Sequence, residues 1–279
     1  MQKETRQVSE LIEKNKEKRG RNVTVHAIFV RHGEKTTSTG SAETGLTEKG
    51  KTQARTFGQN LEKGFSTKPY SSNTDRTKNT IKEAIQASAT QKQFKFRVKD
   101  ELGFVYDTKG TFVQNIFLKK KEILGKNPTA LLDEELHKKL NAYETYVANY
   151  FLGFGDKRPD PKTESPVELA SKIARRVNLY IKMADRLNSG SNISLLNGTH
   201  DMCIHAFLKE ILIRRIDSKP VRGFEKIEEI GGPVDFTEFF EIQITTDAQA
   251  NKHAKLTFRG QKFDIDEPRL QKLAQMAKK

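Results

Sequence analysis

Three short clusters in this sequence could do chemistry together, and each stands where one element should give way to the next. Arg31-His32-Gly33-Glu34 follows directly on Val23-Thr24-Val25-His26-Ala27-Ile28-Phe29-Val30. That run of mostly apolar, often β-branched residues reads as a strand buried on both faces, as in a parallel sheet. Open α/β sheets bind ligands at the carboxyl ends of their strands. A cation, an imidazole and a glycine there suit an anion site, with Gly33 allowing close approach of a ligand to the backbone. Arg76 follows Asn73-Thr74-Asp75, a polar helix start. In a first helical turn the unpaired N–H groups and the dipole already favour an anion. An arginine is unfavourable there for the helix, and an anion beside it gives it a reason. The third cluster, Asn197-Gly198-Thr199-His200-Asp201, ends a second apolar run, Ile193 to Leu196, and opens a helix. Singly, each has an ordinary reading as a polar turn, a solvent-facing arginine or a helix cap. Together they are the parts of one anion site.

The elements that must position these residues can be read along the chain. Thr47 in Gly45-Leu46-Thr47-Glu48-Lys49-Gly50 caps a helix that carries Leu61 and ends near Gly64. Lys68-Pro69-Tyr70-Ser71-Ser72 reads as a short strand before the Arg76 helix, whose apolar face holds Ile81, Ala84 and Ile85. Phe94-Lys95-Phe96-Arg97-Val98 alternates as a strand and leads into Asp100-Glu101-Leu102-Gly103-Phe104. From about 105 to 163 the composition changes. A basic helical piece, Phe117 to Leu124, precedes an amphipathic helix marked by Leu132, Leu136, Leu140, Tyr143, Val147 and Tyr150. This stretch reads as a helical insertion covering the site, where substrate choice resides, its aromatics serving packing. Ser165-Pro166-Val167-Glu168 is a capping box opening a long helix. After the helix holding Ile204, Phe207, Leu208, Ile211 and Leu212, the chain breaks at Gly231-Gly232-Pro233. Alternation at Phe240, Ile242 and Ile244, then at Leu256 and Phe258, predicts a closing β-hairpin.

These elements predict a three-layer α/β/α sandwich with a mostly parallel central sheet, a helical insertion and a C-terminal β-hairpin. Residues 1–20, with Val8, Leu11 and Ile12 at helical spacing, read as an N-terminal helical extension, and 21–279 as the domain carrying the site. The chain has 279 residues, 35% hydrophobic and 31% charged, with no apolar run long enough to span a membrane. The lone Cys203 excludes an internal disulfide, reads as a small core residue and fits a reducing, cytoplasmic setting. The formal charge of +14 is spread along the chain and mixed with glutamate. No nucleic-acid-binding motif accompanies it, so nucleic acid is not the expected partner. The charge supports an anionic substrate instead. The histidines offer no metal-ligand set, since His200 and His205 share no helix face.

Arg31, His32, Arg76 and His200 together resemble the histidine phosphatase superfamily, the phosphoglycerate-mutase-like fold. The likeness covers roughly residues 22–104 and 163–213 in the family's order. Arg31-His32-Gly33-Glu34 looks like its signature. Leu46 to Ala54, Ser71 to Thr80, and Glu164-Ser165 with Arg175 or Arg176 look like its next three blocks.

The resemblance implies a metal-independent, cofactor-free phosphomonoester hydrolase. His32 would be the nucleophile that takes up the phosphoryl group, and Arg31, Arg76 and His200 would hold its oxygens. Chemistry agrees: nearby guanidinium charge disfavours protonation of a histidine, which attacks only when neutral. Arginine's planar fork also matches phosphate oxygens. Two carboxyls are candidates to protonate the leaving group. The mutase branch places an acid after the strand that follows the second arginine, where Glu101 stands. The acid-phosphatase and phytase branch uses an aspartate directly after the second histidine, where Asp201 stands. Glu101 is favoured, because the surrounding blocks resemble the mutase branch more. The loop Lys35-Thr36-Thr37-Ser38 lacks the Asn and Trp pattern of true phosphoglycerate mutases, which favours hydrolysis over mutase activity. The expected partner is a small phosphorylated substrate or a phosphoprotein. The rival readings are a phosphomutase of the same family and an inactive protein that binds phosphate or nucleic acid.

Overall fold

A computed structural model describes residues 19–36, 45–125 and 133–277. Strand β1 (Thr24–Arg31) is the spine of the sheet. It lies parallel to β5 (Asn192–Thr199), which lies parallel to β2 (Ser66–Ser71). Two-residue strands β3 (Lys92–Gln93) and β4 (Arg97–Val98) finish that edge. The strand expected over 94–98 is thus reduced to a bridge at its end. On the other flank β1 is antiparallel to β8 (Phe239–Thr246), followed by β9 (Lys252–Phe258) and β10 (Gln261–Ile265). Strands β6 (Leu212–Ile216) and β7 (Lys219–Arg222) close the order β3-β2-β5-β1-β8-β9-β10-β6-β7.

The sheet is therefore mixed rather than mostly parallel. For the β6–β7 and β9–β10 pairs the cause lies in connections too short for crossovers. Asp217 and Ser218 both take positive φ (48° and 66°), as do Arg259 and Gly260 (50° and 72°). Two-residue turns of that conformation fold a strand straight back on itself, so pairing must be antiparallel. The predicted hairpin is present as β8–β9, and its alternation is buried and exposed in turn.

Helices cover both faces. Helices α1 (Glu48–Gln59) and α2 (Asp75–Ala87) bury Phe57, Ile81, Ala84 and Ile85 against Ile28, Val30 and Leu196. On the other face α5 (Pro166–Ala184), α6 (Asp201–Ile211) and α7 (Glu267–Met276) pack on Val25, Ala27 and Phe29. Alternate residues of β1 thus serve two cores, as its apolar run requires. Local signals hold as well. Thr47 Oγ1 accepts from the Gly50 amide at 2.9 Å. Ser165 and Glu168 cap one another reciprocally at the start of α5. Cys203 is buried in the core.

The insertion consists of α3 (Thr111–Leu124) and α4 (Asp133–Leu152). Val147, Ala148, Phe151 and Leu152 anchor α4 in the core, whereas Leu140 at its other end is exposed. Leu132 lies outside the described residues, as does the expected N-terminal extension up to residue 18. Among the described residues no helix is long and apolar enough to cross a membrane.

Candidate active site

The carboxyl ends of β1 and β5, adjacent and parallel, bring His32 and His200 together with ring centroids 5.5 Å apart, edge to face. The intervening α2 starts beside them and supplies Arg76, whose Nη2 lies 3.5 Å from His200 Nδ1. Hydroxyls lock the three segments to each other. The Gly33 amide donates to Thr80 Oγ1 (2.9 Å), which donates to the Arg76 carbonyl (2.7 Å). Ser72 Oγ contacts His200 Nε2 (3.1 Å) and Thr77 Oγ1 (2.7 Å). A guanidinium can only donate, so His200 accepts at Nδ1 and its Nε2–H donates to Ser72.

His32 is buried, and its Nδ1 lies 2.8 Å from the Gly33 carbonyl. A carbonyl can only accept, so the proton sits on Nδ1 and the Nε2 lone pair is left free. Burial is the main reason that the imidazole's pKa falls well below its ordinary value, with His200, Arg76 and Arg31 adding to it. His200 is lowered to about 3, again by burial first and Arg76 second. Both rings are therefore neutral at pH 7.

Arg31 is buried and heavily engaged. Its Nη1 and Nη2 each donate to Glu144 of α4 at 3.1 Å, and Nη1 also donates to the Val234 carbonyl. Asp201 lies 3.9 Å from Nη2, and the Phe236 ring sits 4.3 Å from the guanidinium carbon. Burial opposes the charge, yet Asp201 and Glu144 outweigh it and raise the Arg31 pKa. Asp201 is pulled well below the usual carboxylate range: burial pushes it up, but Arg31, His205 and His32 overcome that. Two donors stay unsatisfied. Neither Nε of Arg31 nor Nε of Arg76 has a hydrogen-bond partner among the described residues, though both are buried. Buried guanidinium N–H groups are costly to leave unpaired, and these two belong to the arginines that flank the His32 ring.

The comparisons with known proteins bear on the same segment. A family profile matches residues 27–102, from β1 through Leu102, which spans His32, the α1 cap and Arg76. The family is the histidine phosphatase superfamily (branch 1). The resemblance read from the histidine phosphatase motifs is thereby supported in its first three blocks. No curated protein matches the sequence. Among solved structures, "Mycobacterial hydrolase 2" is similar with a TM-score of 0.50 at 14% identity, over 91% of this chain and 98% of its own. Mycobacterial glucosyl-3-phosphoglycerate phosphatase has a TM-score of 0.49 at 14% identity, with 84% of this chain and 98% of that one covered. A phosphoserine phosphatase variant from Entamoeba histolytica has 0.45 at 14%, covering 82% and 94%. The first of these shows a shared fold.

Of the six residues expected in a histidine phosphatase site, Arg31, His32, Arg76, His200 and Asp201 gather in one cluster. Glu101 is engaged elsewhere. It lies on a single 3-10 turn and pairs with Arg176 Nη1 at 2.8 Å. Arg176 also donates to Tyr180, whose hydroxyl donates to Asn197 Oδ1 at 2.6 Å. Burial pushes the Glu101 carboxyl up, but Arg176 outweighs it and lowers the pKa. Gly33 has a different neighbour from the one expected: a Cβ there would stand 2.5 Å from the Gly50 carbonyl, so it admits the backbone of α1.

Sequence reasoning assigned no role to Glu144, Ser72 or Phe236. Glu144 had a faint signal, a carboxylate beside Tyr143 on the flank of an amphipathic face. Tyr143 packs against the core as expected, and burial, with the Glu144 and Asp201 charges, raises its pKa. Phe236 had none, since it reaches the site from the loop before β8.

Proposed function

We propose that this protein is a phosphomonoester hydrolase that acts through a phosphohistidine on His32, with no metal required. The observation that carries the reading is the His32 ring itself, neutral and with Nε2 unprotonated, flanked by arginines whose buried Nε donors have no partner. A phosphoryl group supplies the acceptors that those donors lack, and it presents phosphorus to the lone pair. Nε2 attacks phosphorus, the N–P bond forms, and the ester P–O bond breaks. Arg31 and Arg76 face the equatorial oxygens and stabilise charge there with little reorganisation, whereas His200, which accepts from Arg76 at Nδ1 and donates to Ser72 from Nε2, positions Arg76.

Asp201 is the better donor to the leaving alkoxide. Both carboxylates are ionised in the free protein, but only Asp201 shares Arg31 with the pocket. A phosphate dianion beside it adds negative charge and takes up part of Arg31's field, which raises its proton affinity, so that Asp201 takes up a proton from solvent as the substrate binds and passes it to the leaving alkoxide. Glu101, held by Arg176, feels little of this. In the second half, Asp201 accepts a proton from water. The water oxygen bonds to phosphorus, the N–P bond breaks, neutral His32 and inorganic phosphate result, and Asp201 returns its proton to solvent as phosphate leaves.

The test is chemical trapping. Brief reaction with ³²P-labelled phosphomonoester should leave an acid-labile, base-stable phosphoprotein, and His32→Ala should lose both the label and turnover. Ordinary turnover by a folded His32→Ala protein would refute the assignment.

A further inference from the structure

The turn between β9 and β10 has an unexpected first residue. A two-residue turn with positive φ at both positions favours Asn-Gly or Asp-Gly, since other L side chains are disfavoured in the left-handed region. Here the first position is Arg259, at φ 50°. What its side chain reaches offsets that cost. Nε and Nη2 donate to the two oxygens of Glu238 at 2.6 and 2.9 Å, and the two side chains are only 22% and 21% exposed. Nη1 donates to the carbonyls of Ile230 (2.7 Å) and Gly232 (3.3 Å), and Nη2 to that of Pro233. A guanidinium has five N–H groups, and each has an acceptor here. The approach is close: a Cβ on Gly231, whose φ is 93°, would stand 2.5 Å from Nη1.

All five acceptors lie in residues 230–238, and none is a side chain of the phosphoryl site. That loop nonetheless forms one wall around Arg31. The Val234 carbonyl accepts from Arg31 Nη1, and the Phe236 ring lies 4.3 Å from the guanidinium carbon and 6.0 Å from the His32 ring. The backbones are joined as well, the Arg31 amide donating to the Glu238 carbonyl (2.9 Å) and the Thr237 amide to the Arg31 carbonyl (3.1 Å). The Glu238 carboxylate turns back to accept from the Asp235 amide at 2.8 Å. Residues 231–238 form no helix or strand and begin with two glycines, so no regular ladder sets their path. With the loop displaced, the Arg31 fork would be left to Glu144 and Asp201, carboxylates that compete with phosphate for it. We propose that Arg259 is a positioning residue for the phosphoryl site, clasping residues 230–238 so that Val234 and Phe236 hold the Arg31 guanidinium toward the substrate. The inference rests on the reading of Arg31 as a phosphate ligand.

A double-mutant cycle tests it, with inorganic phosphate titrated calorimetrically into the full chain below the Tm of each variant. Arg259→Met keeps an apolar stem and removes the guanidinium. It should bind phosphate about tenfold more weakly than the wild type, as misplacing a binding group from a distance can do. Arg31→Met should also bind weakly, and the double variant no more weakly than Arg31→Met alone, because Arg259 acts through Arg31. Glu238→Gln leaves the Glu238 backbone bond to Arg31 in place and should show the same pattern at a smaller size. It carries the test if Arg259→Met does not fold. A merely structural clasp lowers Tm and leaves phosphate affinity unchanged in the folded variant, or loses the same factor with and without Arg31. Either result overturns the proposal while Arg31 stands as a ligand. Undiminished affinity in Arg31→Met overturns both. The expected cycle in a protein that yields no phosphohistidine sustains the positioning role and removes the covalent step.

Discussion

Exchanging Glu101 for glutamine distinguishes a structural ion pair from a proton donor. The pair with Arg176 spans 2.8 Å, and the two side chains are 31% and 4% exposed. The guanidinium also rests on the Tyr70 ring at 4.4 Å and donates to Tyr180. No second carboxylate reaches it among the described residues. Removing one partner of a buried pair costs about 3–5 kcal/mol. Glutamine keeps an acceptor in place and part of the Glu101 side chain meets water, which brings the loss to about 2 kcal/mol. At about 2–4 °C per kcal/mol in a chain of this size, Tm should fall by roughly 4–8 °C. The sign with pH follows from the lowered carboxyl pKa in the fold. The stabilisation is complete above the unfolded value, about 4.3, and is lost as pH falls through the folded one. Calorimetric Tm values of wild type and variant should therefore differ at pH 7 and draw together only as the pH is taken well below the unfolded value of about 4.3. Kinetics complete the test, because a general acid matters most when the leaving alkoxide is poor. Glu101→Gln should slow an alkyl phosphate and nitrophenyl phosphate alike. Asp201→Asn should slow the alkyl ester by about 10²–10⁴ and the nitrophenyl ester mildly. An unchanged Tm with the leaving-group contrast in Glu101→Gln would refute the reasoning and make Glu101 the acid.

Glu144→Gln releases the fork of Arg31 from its internal anion, so inorganic phosphate should bind about fivefold tighter by calorimetry. Weaker binding would mean that Glu144 orients the arginine rather than competes for it. Burial lowers His32, His200 (about 3) and His205 (about 4) in the fold. Below the unfolded value of about 6.5 the unfolded chain takes up protons that the fold refuses. Stability is thus complete above about pH 6.5 and falls with acidification, and a Tm constant down to about pH 5 would contradict it.

The elements with strong local signals were legible. The β1 run, the Thr47 cap, the Ser165 capping box and the alternation in β8 and β9 each contain their cause within a few residues. The mixed sheet was not, because the turns at Asp217-Ser218 and Arg259-Gly260 combine residues that are common in many settings. The clustering was legible because strand ends and a helix start bring Arg31, His32, Arg76, His200 and Asp201 to one place by topology alone. Sequence order places Glu101 after the expected strand but does not show its partner, because the pair is made with Arg176, 75 residues on. Glu144 left only a faint signal for the same reason, since its partner is an arginine 113 residues earlier.

The position of β1 between β5 and β8 also decides when this protein can first come together on the ribosome. Thr24 pairs with Asn192 on one side and Thr245 on the other. At about 5–20 residues per second, β1 waits roughly 10–30 s for its first neighbour and longer for its second. Through that interval an apolar strand has both edges unpaired, the state most open to association with other chains. Helices α1 and α2 are made early and can shield one face, through Phe57, Ile81 and Ile85 against Ile28 and Val30. The other face, Val25, Ala27 and Phe29, must wait for α5 and α6. The nascent chain thus holds Arg31 and His32 long before it holds His200. The cluster is complete only with the last third of translation, which makes this a chain whose yield in cells should respond to chaperone supply and to the rate of elongation.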